Sequence, residues 1–319
     1  MTSRSSEVNP DRKKKIIRRK INGVLILDKP IGITSNAALQ IAKRVFEAAK
    51  AGHTGSLDPL ATGVLPLCLG EATKFSQYLL DADKRYLATF KLGVATNTGD
   101  AEGQIVSTAE VPEIELQELN KVLDQFRGKI RQVPSMFSAL KVNGQPLYKL
   151  ARQGIEIERK SREVSIFKYE ILAFEGDQLK VDIECSKGTY IRTLAEDLGK
   201  VLGCGAHVAE LRRTQSGPYP ESRSISLDEL ERMKEKGGLE AIDTLLLPVE
   251  SSIENWPAIN LTELTAAYFK QGQAVQVAKA PAAGWIRIFS EVESKEPVFL
   301  GVGEILEDGK IAPRRLVVS

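Results

Sequence analysis

Cysteine, histidine, tryptophan and methionine are all scarce in this chain of 319 residues, at three, two, two and three. Cys68, Cys185 and Cys204 lie far apart and none belongs to a CxxC pair. That spacing argues against a disulfide framework and against a zinc site. Each sits in apolar surroundings and reads as a small buried hydrophobe. No run approaches eighteen consecutive apolar residues, so no membrane span is expected. The N-terminus also lacks the apolar stretch of a secretory signal. A cytoplasmic protein is the reading. Neither a metal-ligand cluster nor a phosphate-cradling glycine motif is present, so no metal and no cofactor is expected.

An excess of one charge is missing too, since the net is only +2. Its distribution is uneven. Residues 1–20 carry eight Lys/Arg against two acids, a net of +6 that leaves −4 for the rest. From Arg127 to Arg162 nine basic residues face only Glu156 and Glu158. A solvated face, or a disordered tail in the case of residues 1–20, is the plain explanation. Two separate basic stretches in a near-neutral chain instead favour a polyanion, RNA. With 42% hydrophobic and 27% charged residues, the chain can build one large domain plus a small one, or two medium ones.

The densest punctuation falls in Ala51–Gly70, AGHTGSLDPLATGVLPLCLG, with four glycines and two prolines. It reads as a loop of defined shape. Asp58 is its single acid, His53 lies just upstream, and Leu57, Leu60, Val64, Leu65 and Leu67 should pack it on the core. By itself an Asp-Pro pair merely turns the chain, and a lone histidine is more often structural than catalytic.

Secondary-structure signals run strand, helix, loop, helix, strand without regular βαβ alternation, which makes the fold class α+β. Gly23–Leu27 reads as a buried strand. Ser35 is the expected N-cap of a helix over 36–50. A short helix is expected over 73–80. Tyr86, Ala88, Phe90, Leu92 and Val94 alternate on one strand face. Leu116, Leu119, Leu123 and Phe126 mark a helix stopped by Gly128. A hairpin is expected over 164–186, a helix over 191–202, and a capping box at Ser226 and Glu229 opens another. Beyond Pro248–Pro257 come one short helix and three or four strands, a small β-rich domain over 253–319. Its last strand pair is joined at Glu307-Asp308-Gly309-Lys310.

HTGSLDPLATGVLPLCLGEATK strongly resembles the catalytic motif of the TruB family, whose members make pseudouridine in the T loop of transfer RNA. The resemblance continues, in the family's order, at GVLILDKPIGITS, DKRYLATFKLG, PSMFSALKVNGQPLYKLARQG, CSKGTYIRTLAEDLG and GCGAHVAELRRTQSG, spanning residues 20 to 250. It implies a mixed, largely antiparallel sheet flanked by helices over 21–250, with the basic stretch 127–162 inserted as a flexible thumb. The ending FLGVGEILEDGKIAPRRLV resembles, more weakly, the PUA-like RNA-binding module of bacterial members. Asp58 is then the essential carboxylate and Arg192 its cation. Tyr86 stacks on the target base and relays its C5 proton. His53, Tyr190 and Leu211 match substrate-contacting positions, and Arg212-Arg213 could reach phosphate. The implied reaction isomerises uridine 55 of tRNA after base flipping, with no cofactor. The enzyme acts as a monomer with no obligate protein partner. Burial among leucines would raise the Asp58 pKa and an adjacent cation would lower it by roughly 1–3 units. Whether Asp58 attacks C1′ or takes a proton from C2′ stays open. Two other readings also stay open: a non-catalytic RNA-binding or tRNA-folding protein, and an N-glycoside hydrolase.

Overall fold

The computed structural model describes residues 18–138, 140–278, 280–292 and 295–318. Of the basic arm expected over 1–20, residues 1–17 therefore lie outside the described residues. Arg19, at its end, is anchored: its guanidinium pairs with both Asp243 oxygens at 2.6 and 2.5 Å and donates to the Phe46 carbonyl.

β1 (Gly23–Lys29) leads to helix α1 (Ser35–Val45), then β2 (Ala51–His53) and β3 (Thr62–Leu69). α2 (Ser76–Leu80) precedes β4 (Lys84–Leu92), and a ribbon of β5 (Val94–Thr96) and β6 (Ile105–Thr108) leads to α3 (Leu116–Asp124) and β7 (Gly128–Gln132). After an insert come β10 (Arg162–Glu175), β11 (Gln178–Cys185), α5 (Ile191–Val201), β12 (Ala206–Ser216), β13 (Tyr219–Pro220), β14 (Ile225–Ser226) and α6 (Leu227–Asp243). The insert itself holds β8 (Lys141–Val142), β9 (Gln145–Pro146) and α4 (Leu147–Arg152).

The main sheet runs β14-β1-β3-β12-β4-β11-β10-β7, with β2 beside β3 and β13 beside β12. Pairing is antiparallel except for β1 with β14 and β3 with β12. The α+β, mixed and largely antiparallel expectation holds. On one face of the sheet α1, α3, α5 and α6 close the main core through Leu39, Leu119, Leu194 and Leu230, each at most 5% exposed. Burying such side chains is worth about 1.5–3 kcal/mol each.

Two local expectations need correction. Residues 62–69 are not loop but a buried strand at the middle of the sheet. Glycine and proline there serve close packing: a Cβ on Gly63 would sit 2.2 Å from the Arg213 carbonyl oxygen on β12. The N-cap of α1 is Thr34, whose hydroxyl accepts from the Ala37 amide at 3.1 Å, and the helix ends at Val45. Ser35 is instead buried and bonded elsewhere.

The basic stretch is ordered at both ends, because Gly128–Gln132 pairs with the start of β10, Gln132 opposite Arg162. Between them the insert folds around its own cluster of Met136, Leu147 and Leu150.

A separate sheet, β15 (Ala258–Leu261), β16 (Gly284–Val292), β17 (Lys295–Ile305) and β18 (Ile311–Leu316), carries α7 (Glu263–Lys270) over Phe269, Ile286, Ile288 and Ile311. Thr262 caps α7, its hydroxyl accepting from the Thr265 amide. This β-rich unit docks on the main domain through Phe75, Ile253 and Val302, with Tyr78, Trp256 and Phe299 around them. Among the described residues no helix is long and apolar enough to cross a membrane.

Candidate active site

Asp58 stands on the turn between β2 and β3, and that turn is stapled from beneath. The buried Ser35 hydroxyl accepts from the Leu57 amide at 2.7 Å and donates to the Leu57 carbonyl at 3.1 Å. The Gly32 amide donates to the Pro59 carbonyl at 2.9 Å. Lys29, fully buried, gives its ammonium to the carbonyls of Pro30 at 2.8 Å and Ile33 at 2.7 Å. Burial brings the Lys29 pKa down to about 8, with the Asp58 charge opposing. Leu57 and Ala61 point into the core on either side of the acid. The turn that carries the acid is thus held in place from beneath by its neighbours.

Arg192 enters from the first turn of α5. Its Nε lies 3.0 Å from an Asp58 oxygen and its Nη1 3.3 Å from an Asp100 oxygen. The same guanidinium donates to the Thr98 carbonyl at 2.9 Å and to the Phe137 carbonyl of the insert at 2.8 Å. Asp100 is fixed in turn by the Thr98 hydroxyl at 2.6 Å and the Glu102 amide at 3.2 Å. One cation therefore serves two carboxylates of different character. The Asp100 side chain is 5% exposed and that of Asp58 is 44% exposed, open to the cleft. Burial raises the Asp58 pKa above its ordinary value, Arg192 opposes that rise, and the charge on Asp100 adds to it.

The cleft above Asp58 has a volume of about 370 Å³ and is lined also by Tyr86, Tyr190, Arg192 and Leu211. Tyr86 is 9% exposed on β4, and burial raises its phenol pKa while Arg213 beside it opposes. Tyr190 is the residue before α5, its backbone held by the Gln132 side chain at 3.0 and 3.2 Å. Sequence reading named Asp58, Tyr86, Tyr190, Arg192 and Leu211 from four distant segments, and all five line this one cleft. His53 does not. It is half-buried at the end of β2, with a buried Nδ1 that has no partner among the described residues. Burial and Arg213 lower its pKa.

The arginine pair is corrected by the structure. Arg213 is 1% exposed and spends its guanidinium on the carbonyls of Val64 at 2.7 Å and Gly55 at 3.0 Å. Arg212 is neutralised by Asp28 and Glu221, both at 2.9 Å. Both cations secure the site's frame because carbonyls and carboxylates already occupy them. Asp100 escaped the sequence reading. Its signal was an acid between Gly99 and Gly103, the same acid-in-a-glycine-turn pattern that marks Asp58. Among the described residues no cluster of His, Cys, Asp or Glu is spaced to hold a metal.

The large mixed sheet with its C-terminal β unit is the architecture of a pseudouridine synthase. The structure of an H/ACA RNP bound to a substrate RNA containing 2′-deoxyuridine matches it with a TM-score of 0.70 and 26% identity, over 98% of this chain and 92% of that one. Three family models match in succession. The TruB family pseudouridylate synthase N-terminal domain matches residues 43–191. The tRNA pseudouridylate synthase B C-terminal domain matches 192–254, and the pseudouridine synthase II TruB C-terminal region matches 257–317. The chain belongs to the TruB family. It is 56% identical to tRNA pseudouridine synthase B of Stutzerimonas stutzeri and 55% identical to that of Ectopseudomonas mendocina. Each match covers 96% of this chain and 98% of the relative.

Proposed function

We propose that this pseudouridine synthase isomerises uridine 55 in the T loop of tRNA, with Asp58 as the reacting carboxylate. The observation that carries this is the Asp58–Arg192 pair at 3.0 Å, half open to a cleft beside Tyr86. The N1–C1′ bond breaks, the uracil turns, C5 joins C1′, and the proton on C5 leaves as N1 regains one. Nothing is oxidised and no group is imported. Asp58 must be ionised whether it attacks C1′ or removes a proton from C2′. Arg192 favours that form, and its four partners fix the guanidinium before substrate arrives.

A T-loop uridine reaches this cleft only after extrusion, which costs a few kcal/mol in lost stacking. Tyr86 and Tyr190 offer aromatic faces to the turned base, and Leu211 an apolar wall. His53, at the edge of the same loop, stacks on neighbouring bases to offset part of that cost. The buried Tyr86 phenol relays the C5 proton. The β-rich unit and the insert add RNA-binding surface, and the enzyme works as a cytoplasmic monomer without a protein partner.

An N-glycoside hydrolase would need a base to activate water, commonly a second carboxylate. Two acids lie nearby: Asp100 is closed off and tied to Arg192 and Thr98, while Glu102 is exposed and within reach of the Asp58 charge, so the products decide. Pure protein incubated with a T-arm stem-loop should convert the target uridine to pseudouridine and release no uracil. Free uracil with an abasic RNA would make it a hydrolase, and unchanged RNA would leave only a binding or folding role.

A further inference from the structure

A polyanionic substrate needs a cation where its backbone turns into the cleft, and four cationic side chains line this one: Lys84, Arg162, Arg192 and Arg213. Three are already committed. Lys84 donates to the carbonyls of Leu79 at 3.2 Å and Leu80 at 2.9 Å. Arg192 is divided between two carboxylates and two carbonyls, and Arg213 between two carbonyls. Arg162 is different. Among the described residues it has no carboxylate partner, its guanidinium's only hydrogen bond is from Nη2 to the Gly188 carbonyl, and its Nε is buried without a partner.

Its placement is nonetheless firm. Arg162 opens β10 directly opposite Gln132 of β7, and Gln132 is the residue that grips the Tyr190 backbone. The Arg162 guanidinium lies over the Tyr190 ring, 4.6 Å from its centroid. Arg162, Gln132 and Tyr190 form one cluster rooted in the sheet, where an unspent guanidinium is presented at fixed geometry. A guanidinium stays charged at any working pH and presents a planar fork of donors that matches phosphate oxygens.

We propose that Arg162 is a substrate-positioning residue that binds a phosphate adjoining the extruded uridine, while its stacking keeps the Tyr190 ring in place. This rests on the pseudouridylation reading and names the group that holds the flipped nucleotide's backbone.

The test is a two-by-two cycle. Wild-type protein and Arg162→Gln are each given a T-arm stem-loop carrying either a native or a neutral methylphosphonate linkage, placed in turn 5′ and 3′ of the target uridine. Arg162→Gln should weaken binding of the native RNA by about tenfold or more, the loss of one charge-assisted contact. At one of the two linkages, methylphosphonate should weaken wild type similarly yet change the variant less than about twofold. Arg162→Lys, which keeps the charge and loses the fork, should recover part of the affinity and of the coupling at that same linkage. Effects that multiply independently at both linkages, in both variants, overturn the proposal. Pseudouridine formed by wild type on the native stem-loop separates that failure from a failure of the functional reading, in which no pseudouridine would form.

Discussion

Asp182 and Asp58 each meet an arginine, and the contrast between them shows what separates a carboxylate locked into the frame from one left open to a cleft. Asp182, on β11, lies under both forks of Arg85 at 2.8 and 2.5 Å and accepts from Lys168 at 2.9 Å. Its side chain is 4% exposed, and the hydrogen bonds from Arg85 hold its pKa below the usual carboxylate range. Asp58 receives one contact from an arginine that must also serve Asp100 and two carbonyls. It stays half open, and its pKa is raised instead. Full bonding makes a strut. Partial bonding leaves a carboxylate with lone pairs facing the cleft and basicity to spend there.

The sharpest way to break this contrast is to remove each carboxylate's charge while keeping its shape. Asp58→Asn should lower pseudouridine formation by about 10⁴-fold or more and leave tRNA affinity within a few-fold. Asp182→Asn should leave the saturated single-turnover rate within about twofold. Turnover by pure Asp58→Asn protein at more than trace rates would show that another group does the chemistry.

Asp100→Asn sharpens the comparison by giving Arg192 to Asp58 alone. Two effects then compete. Losing the Asp100 charge removes a repulsion that raises the Asp58 pKa, so the acid limb of the pH–rate profile should move to lower pH. Losing an anchor lets the guanidinium drift, which should cost about tenfold in the saturated rate near neutral pH. Single-turnover rates followed from pH 8 down to the onset of acid unfolding would resolve both. An acid limb that does not move, or moves upward, would mean Asp58 is not the group being titrated.

The sequence carried the site further than the fold around it. Asp58, Arg192, Tyr86, Tyr190 and Leu211 were legible because each lies in a motif whose order and wording match a family, although nothing local to them says they meet. Asp100 shows only a glycine-turn signal in the sequence, and its partnership with Arg192 exists only once the loop before β6 folds over α5. Arg212 and Arg213 read as phosphate contacts because sequence displays a charge and hides what already neutralises it. The strand over 62–69 was misread for a related reason. Gly63 and Pro66 look like punctuation until β12 lies beside them, and only then does the glycine read as the condition for contact.

Stability is where Asp182 should show its effect. Its folded pKa is depressed, so its contribution is present above the unfolded value of about 3.9 and is lost as pH falls through the folded value. Arg85 is 41% exposed and Lys168 28%, so solvent screens both partners and weakens their hold on Asp182. Asp182→Asn should therefore cost about 1–3 kcal/mol at pH 7. In urea unfolding the gap between wild type and variant should narrow as pH drops below about 4. A gap independent of pH would mean the residue acts through packing and not through charge.

The smallest effect on chemistry should come from the insert's own charges. Lys141, Lys149 and Arg152 are exposed on the unit built around Met136, Leu147 and Leu150, and none has a carboxylate partner among the described residues. If all three meet phosphates, neutralising them to glutamine should flatten the log–log salt dependence of binding by about two to three units, at roughly 0.7–0.9 per contact. The saturated single-turnover rate should stay near wild type. The insert touches Arg192 through the Phe137 backbone carbonyl at 2.8 Å, and none of the insert's own charged side chains takes part in that contact. Gripping and chemistry would then run through different atoms of the same insert. A saturated rate that collapses while the salt slope stays unchanged would reverse this. It would mean that the insert's charges set the position of Phe137, and through it the arginine that Asp58 depends on.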